Sequence, residues 1–249
     1  MPRRATDPNQ PNPRPFPYAD YVEARKTLKA ALDGPCFYGM LTGASGMGKT
    51  ELLRDITDSL DHHRFNVVYL TSANISLVSI VRFLAGRLHV GARRSYLETV
   101  DVIAETIHAQ TAHMVLWLDE ADQLEHDTLQ EIRTLAEHKL ATQQLLTVVF
   151  SGLPELGTTL EAPALFPLKR RIAYRCALAG LRRDELDPFL EHRFGQEAQR
   201  LPPSARDDLF ERTQAAPALI DQVARHALAR TKGIIDPEVV RAVLDTHSL

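Results

Sequence analysis

Long apolar runs are missing from this chain. No stretch of its 249 residues approaches the length needed to cross a bilayer, which is about 20 predominantly apolar residues. Arg3 and Arg4 stand near the start with no apolar stretch behind them, so no secretory signal peptide is expected there. Cysteine is scarce: Cys36 and Cys176 are the only two, too few for a disulfide framework. Excess charge of one sign is missing too. A net charge of −3 excludes electrostatic binding of nucleic acid by the whole molecule, so any DNA contact must come from a local basic patch. There is no internal repeat. His62, His63, His108 and His113 lack metal-ligand spacing with acids or cysteines and read as ordinary surface or helix residues. What remains, 44% hydrophobic and 24% charged, is the composition of a globular protein with one large domain or a core and an appendage. A cytoplasmic, reduced protein with no membrane contact is the expectation.

Against these absences stands one dense motif. Gly43, Ala44, Ser45, Gly46, Met47, Gly48, Lys49 and Thr50 spell the phosphate loop G-x-x-x-x-G-K-[ST]. Its glycines let backbone N–H groups wrap phosphates with no Cβ in the way. Lys49 supplies a point charge to the β/γ-phosphates, and the Thr50 hydroxyl can ligate Mg²⁺. The setting is right: Phe37 to Leu41 reads as a buried strand, and Glu51 to Ile56 continues as a helix. Residues 43–51 are therefore predicted to hold a nucleoside triphosphate.

Strands and helices alternate around this loop. A helix is expected from Tyr18 to Leu32. Further strands are expected at Asn66–Leu70, Met114–Leu118, Thr147–Ser151 and Ile172–Leu178. Helical periodicity marks Leu77–Leu84, Val100–Ile107 and Thr128–Glu137. This is the pattern of an α/β fold with a parallel sheet covered by helices on both faces. After Gly180 only helices are expected: Asp184–Phe194, Ser204–Arg212, Pro217–Arg230 and Pro237–His247. The last opens on Asp236-Pro237, a cap followed by proline at the first helical position. The expected organisation is a Pro/Arg-rich tail at 1–15, a nucleotide-binding core at 16–180 and a helical lid subdomain at 181–249. Pro2, Pro8, Pro11, Pro13 and Pro15 keep the tail from burying enough apolar surface to order itself. It is either a solvated terminus or a weak arm for DNA or a partner.

The third strand runs into Leu118-Asp119-Glu120-Ala121-Asp122. An apolar strand that delivers acids at its C-terminal end, where parallel sheets present ligands, is a Walker B motif. Asp119 would hold Mg²⁺ and Glu120 would polarise the attacking water. The Asn-Lys-x-Asp base-reading motif of switch GTPases is absent, so ATP is the expected nucleotide.

This order of parts resembles the AAA+ family. Within it, the chain is similar to the branch containing general secretion pathway protein A (ExeA) and transposition ATPases of the TniB, TnsC and MuB kind. The resemblance runs from about Phe16 to the end. It rests on the segments at 41–50 and 116–124, on Val-Phe-Ser-Gly-Leu-Pro-Glu-Leu at 149–156, Lys-Arg-Arg-Ile at 169–172, and Leu181–Phe194. It implies a P-loop AAA+ core with a helical lid, Mg²⁺-dependent ATP hydrolysis, and a homo-oligomer, ring or helical filament, in which a neighbour supplies an arginine finger. Arg171 stands at the matching position, with Arg170 as the adjacent candidate; the alternative is a solvated or DNA-facing basic cluster. Relatives carry Gly-Gln-Pro-Glu-Leu at sensor 1, where this chain has Leu153 in place of glutamine, so the polar task passes to Ser151 or Thr147 or is weak. The sensor 2 arginine of Gly-x-Pro-Arg is replaced by Ala218. Both departures imply slow hydrolysis. The segment Phe16-Pro17-Tyr18 either touches adenine or packs.

Three tasks fit such an ATPase: an ATP-dependent regulator that assembles on duplex DNA and recruits a transposase, a secretion-type envelope-assembly ATPase, or a nucleotide-gated protein-binding module. Secretion proteins of this kind continue into a transmembrane helix and a peptidoglycan-binding domain. Because the sequence stops at Leu249, the transposition regulator is the expectation. Arg82, Arg87, Arg93 and Arg94 follow the second strand where DNA-binding relatives face the pore of the assembly; the alternative is a solvated helix face.

Overall fold

The computed structural model describes residues 14–34, 38–71, 75–91, 93–136, 146–230 and 233–246. Expectations placed on residues 1–13, Cys36, Phe37, Glu137 and His247 lie outside them. In chain order the elements are α1 (Ala19–Asp33), β1 (Tyr38–Gly43), α2 (Lys49–Ser59), β2 (Phe65–Thr71), α3 (Leu77–Arg87), α4 (Tyr96–Ala109), β3 (His113–Asp119), α5 (His126–Ala136), β4 (Leu146–Gly152), α6 (Glu155–Thr159), α7 (Phe166–Lys169), β5 (Ile172–Leu178), α8 (Leu186–Phe194), α9 (Pro203–Arg212), α10 (Pro217–Arg230) and α11 (Pro237–Thr246).

The strands form one five-stranded sheet in the order β2-β3-β4-β1-β5, with parallel pairing of β2 to β3, β3 to β4 and β4 to β1. β3 buries both its faces from Met114 to Leu118, which is why it reads as a continuous apolar run. Alternate residues choose opposite sides. Met114, Leu116 and Leu118 of β3 join the core cluster that holds Ile80 of α3, Ile103 of α4 and Ile132 of α5. Val115 and Trp117 lie outside that cluster yet are fully buried. The Trp117 indole donates to Thr57 Oγ1 of α2 at 3.0 Å, so α2 covers the second face. A Cβ on Gly39 of β1 would touch Leu28 of α1 at 3.5 Å, which places α1 there as well. Burying each such side chain contributes about 1.5–3 kcal/mol.

The described chain divides into two compact units. The sheet unit contains Glu23–Gly43 and Lys49–Ala177. The helical unit contains the described residues up to Val22, the short segment Ala44–Gly48, and the chain from Leu178 onward.

In the helical unit α9, α10 and α11 pack on one another, and α8 to α11 bury Leu190, Leu209, Ile220, Val223, Val240 and Leu244. Asp236 Oδ1 accepts from the Glu238 N–H at 3.0 Å, the cap that starts α11. The helix expected from Asp184 instead begins at Leu186, after a 3₁₀ turn at Arg183–Glu185. Glu185 is the reason: its carboxylate accepts from the Arg182 N–H at 2.8 Å and from the Ala19 N–H at 2.7 Å.

Asp221 of α10 binds both Arg193 (2.8 Å) and Arg225 (2.9 Å). Burial alone would raise its pKa, but the two guanidinium groups outweigh that and hold it below the ordinary carboxylate value. A carboxyl depressed on folding stabilises the native state above its unfolded pKa of about 3.9, and that contribution disappears as pH falls through the lower native value. Asp221→Asn is expected to cost about 2 kcal/mol at neutral pH. Urea unfolding of both proteins should show the gap shrinking as pH falls below about 4.

Candidate nucleotide site

The sheet unit carries the hydrolytic half of the predicted constellation. β3 brings Asp119 to its C-terminal end, where the residue is 4% exposed. Its Oδ2 accepts from Thr50 Oγ1 at 2.9 Å and from Tyr69 Oη at 2.5 Å, and its Oδ1 accepts from the Glu120 N–H at 3.1 Å. Thr50 and Asp119, the two predicted Mg²⁺ ligands, are thus brought together. Their all-oxygen donor set suits a hard cation that takes one or two protein oxygens and completes its shell with phosphates and water.

Lys49 opens α2 and donates from Nζ to the Gly43 carbonyl at 2.6 Å. Burial pushes its pKa below the ordinary lysine value, and Asp119, Asp122 and Glu120 act against that shift. Glu51 lies in the first turn of α2 and is exposed. Glu120 is exposed and has left-handed backbone, φ 56° and ψ 35°. For a non-glycine residue that conformation costs about 1–2 kcal/mol, and strain of this kind concentrates at functional sites.

The two sensor 1 candidates part company here. The Thr147 hydroxyl pairs with His113 Nε2 at 2.9 Å, at the start of β4. Ser151 lies at the other end of the strand, fully buried, its Oγ without a hydrogen-bond partner among the described residues. Arg170 and Arg171 leave α7 exposed. Arg170 stacks over the Phe166 ring at 5.9 Å, and Arg171 donates to the Pro167 carbonyl at 3.2 Å. Arg82, Arg87, Arg93 and Arg94 are all exposed, and the chain carries no acid from Leu77 to Leu97.

The helical unit holds the apex of the loop, Ala44 to Gly48. Gly46 (φ +79°) and Gly48 (φ +91°) have backbone that side-chain-bearing residues avoid. Ser45 is exposed and Met47 buried. The Tyr18 hydroxyl donates to the Met47 carbonyl at 2.6 Å, so Tyr18 supports the loop. Phe16 packs edge-on against Phe189 at 5.6 Å. The Ala218 N–H donates to the Gly46 carbonyl at 3.1 Å. Residue 218 therefore stands against the loop, with only a methyl as its side chain.

Two residues of this arrangement escape a reading of the sequence. Tyr69 looks like one more apolar strand residue, and only the β2–β3 register shows that its hydroxyl meets Asp119. Burial, and then the bond to Asp119, raise its pKa. Asp122 stands inside the acidic motif with no role that spacing assigns. In the fold its Oδ1 accepts from the Leu153 N–H at 2.9 Å.

A parallel sheet, a phosphate loop leaving its strand β1, and an acid pair at the end of β3 define a P-loop nucleotide hydrolase. More narrowly, the chain belongs to the AAA domain family, whose profile matches residues 36–160, and it is an ATPase of that class. It is 26% identical over 227 residues to general secretion pathway protein A of Aeromonas hydrophila, an alignment covering 88% of this chain and 41% of that protein. The chain thus spans less than half the length of that curated relative. Among solved structures, it is similar to Cdc6p of Pyrobaculum aerophilum, with a TM-score of 0.73 and 17% identity over 96% of this chain and 70% of that one. It is also similar to the ORC1 protein of Aeropyrum pernix in complex with DNA, with a TM-score of 0.60 and 18% identity over 95% and 66%. At these identities the structures establish the shared fold. Among the described residues no helix is long and apolar enough to cross a membrane.

Proposed function

We propose that this chain is an ATP-gated assembly switch that oligomerises on duplex DNA, hydrolyses ATP slowly and recruits a transposase to its target, acting in the cytoplasm. Residues 43–51 would wrap the phosphates, with Lys49 giving up its bond to Gly43 for them. Thr50 and Asp119 would hold Mg²⁺, which when bound neutralises phosphate charge. Glu120 would orient the attacking water and draw off its proton. Arg171, or Arg170 beside it, would reach the γ-phosphate of a neighbouring copy, a contribution worth about 10³–10⁵ in rate. With a methyl at Ala218 and Leu153 at sensor 1, turnover would be slow, and only Ser151 would remain to offer a hydroxyl at the end of β4.

The observation that carries the DNA part is the acid-free stretch from Leu77 to Leu97 with its four exposed arginines. Repeated along an oligomer, it would follow a phosphate backbone without reading bases. The DNA-bound ORC1 structure supports this reading through the shared fold. The identity with general secretion pathway protein A favours a second reading, an envelope-assembly ATPase. Duplex binding across a salt series with ATP, ADP or no nucleotide separates them. The DNA reading predicts ATP-dependent binding that weakens steeply with salt. It also predicts a shallower salt slope for Arg82→Ala/Arg87→Ala, by about 0.9 for each phosphate no longer neutralised. Absence of ATP-dependent binding at low salt would favour the secretion reading.

A further inference from the structure

We propose that Asp122 is a positioning residue: it ties the exit of β4 to the exit of β3 and thereby fixes where the Glu120 carboxylate stands, a role that rests on the hydrolytic function proposed for Glu120.

Three observations carry it. First, Asp122 Oδ1 accepts the Leu153 N–H at 2.9 Å, across a separation of 31 residues. Second, the two loops approach too closely for a side chain. A Cβ on Gly152 would stand 2.4 Å from Asp122 Oδ1 and 3.1 Å from the Asp122 nitrogen. Glycine at 152 is thus a requirement of the approach. Third, the loop that Asp122 anchors is strained. Glu120 occupies left-handed backbone without being glycine, and the turn then closes through the Gln123 N–H to the Glu120 carbonyl at 3.0 Å.

A short strained turn keeps its shape only if something outside it holds it. The Glu120 N–H is bonded to Asp119 Oδ1, a carboxylate that Thr50 of α2 and Tyr69 of β2 hold by its other oxygen, so the start of the turn is tied there. The bond to Leu153 ties the far side of the turn, at Asp122, to the residue after Gly152 at the end of β4. Releasing it frees both strand exits: the Glu120 turn on one side and the segment carrying the buried, unpartnered Ser151 hydroxyl on the other. A base displaced by about 1 Å can lose about 10²-fold in rate, whereas phosphate binding by the loop at 43–50 does not pass through this bond.

Asp122 also bears a charge that acts on Lys49, and the two roles make different demands on the side chain. Tethering needs an acceptor oxygen at Oδ1; compensating Lys49 needs the negative charge. Asparagine keeps the first and drops the second. Its amide can still pair with Gln123, whose Nε2 now donates to Asp122 Oδ2 at 2.7 Å, by flipping that glutamine.

The test is steady-state ATP turnover and ATP affinity for the wild type, Asp122→Asn, Asp122→Ala, Gly152→Ala and Glu120→Gln, with Leu153 amide exchange in the nucleotide-free proteins. Asp122→Ala should lower kcat by about 10- to 100-fold, with ATP affinity within about twofold of wild type and faster Leu153 exchange. Asp122→Asn should restore kcat to within about threefold of wild type, because the acceptor oxygen survives. Gly152→Ala, which wedges the same approach apart while leaving the carboxylate, should match Asp122→Ala and serves in its place if that variant does not fold. Wild-type kcat in Asp122→Ala or Gly152→Ala, beside an inactive Glu120→Gln, overturns the tether. Equal losses in Asp122→Asn and Asp122→Ala overturn it in favour of charge. Failure of the underlying reading has a different signature, wild-type turnover in Glu120→Gln.

Discussion

Lys49→Ala is expected to weaken ATP binding by at least about 30-fold, because removing one partner of a desolvated, hydrogen-bonded charge pair costs roughly 2–5 kcal/mol. Lys49 is half-buried and its ammonium is spent on the Gly43 carbonyl at 2.6 Å. Burial lowers its pKa, and Asp119, Asp122 and Glu120 sustain the cation. A triphosphate offers that cation more negative charge than a peptide carbonyl does, so the lysine is held ready and is exchanged rather than recruited. The fold should survive the substitution, since the core beneath α2 rests on Leu52, Leu53 and Ile56. Titration with a fluorescent ATP analogue, alongside thermal unfolding, distinguishes weakened binding from a damaged fold.

Glu120→Gln is expected to do the reverse: bind ATP as the wild type does and lose hydrolysis by about 10²-fold or more, the contribution of a positioned general base. The geometry keeps the two functions apart. Asp119 is buried and engaged by Thr50 and Tyr69, which suits it to the metal-holding role proposed for it. Glu120 is exposed in a left-handed turn, where solvent can reach it. Gln at 120 keeps the shape and size of the side chain and removes the base. Single-turnover assays give the chemical step directly. Wild-type turnover on the order of tens per second, within the ordinary range for enzymes, would contradict the slow switch implied by Leu153 and Ala218, even if Glu120 proves essential.

Much of this arrangement is legible in the sequence, for identifiable reasons. β3 announces itself because burial on both faces favours an unbroken apolar run, as Met114 to Leu118 shows. The phosphate loop is legible because its chemistry is local to a single short run, Gly43 to Thr50. Short elements are harder: α6 and α7 hold too few residues to display a helical period, and Pro167 sits inside α7. Pairings set by strand register are harder still. Thr147 and Ser151 share one face of β4, and alternation does not reveal that the Thr147 hydroxyl meets His113 on the neighbouring strand. Tyr69 and Asp122 find their partners 50 and 31 residues away, and no spacing rule encodes either pairing. The segment 44–48 reads as an uninterrupted part of the core, yet its bonds with Tyr18 and Ala218 group it with the helical unit.

Those bonds also refine the picture of a missing sensor 2. Ala218 stands against the loop, so α10 meets the loop's apex with a backbone N–H and a methyl. Under the proposed function such an enzyme would hold ATP rather than spend it quickly, and assembly is where the ATP-bound state would be read. The most direct measurement is sedimentation of the Glu120→Gln protein on a short duplex with Mg-ATP and with Mg-ADP. A DNA-bound oligomer is expected with ATP, dissolving to free protein with ADP. A monomer in both nucleotides, or the same oligomer in both, would contradict the proposed switch.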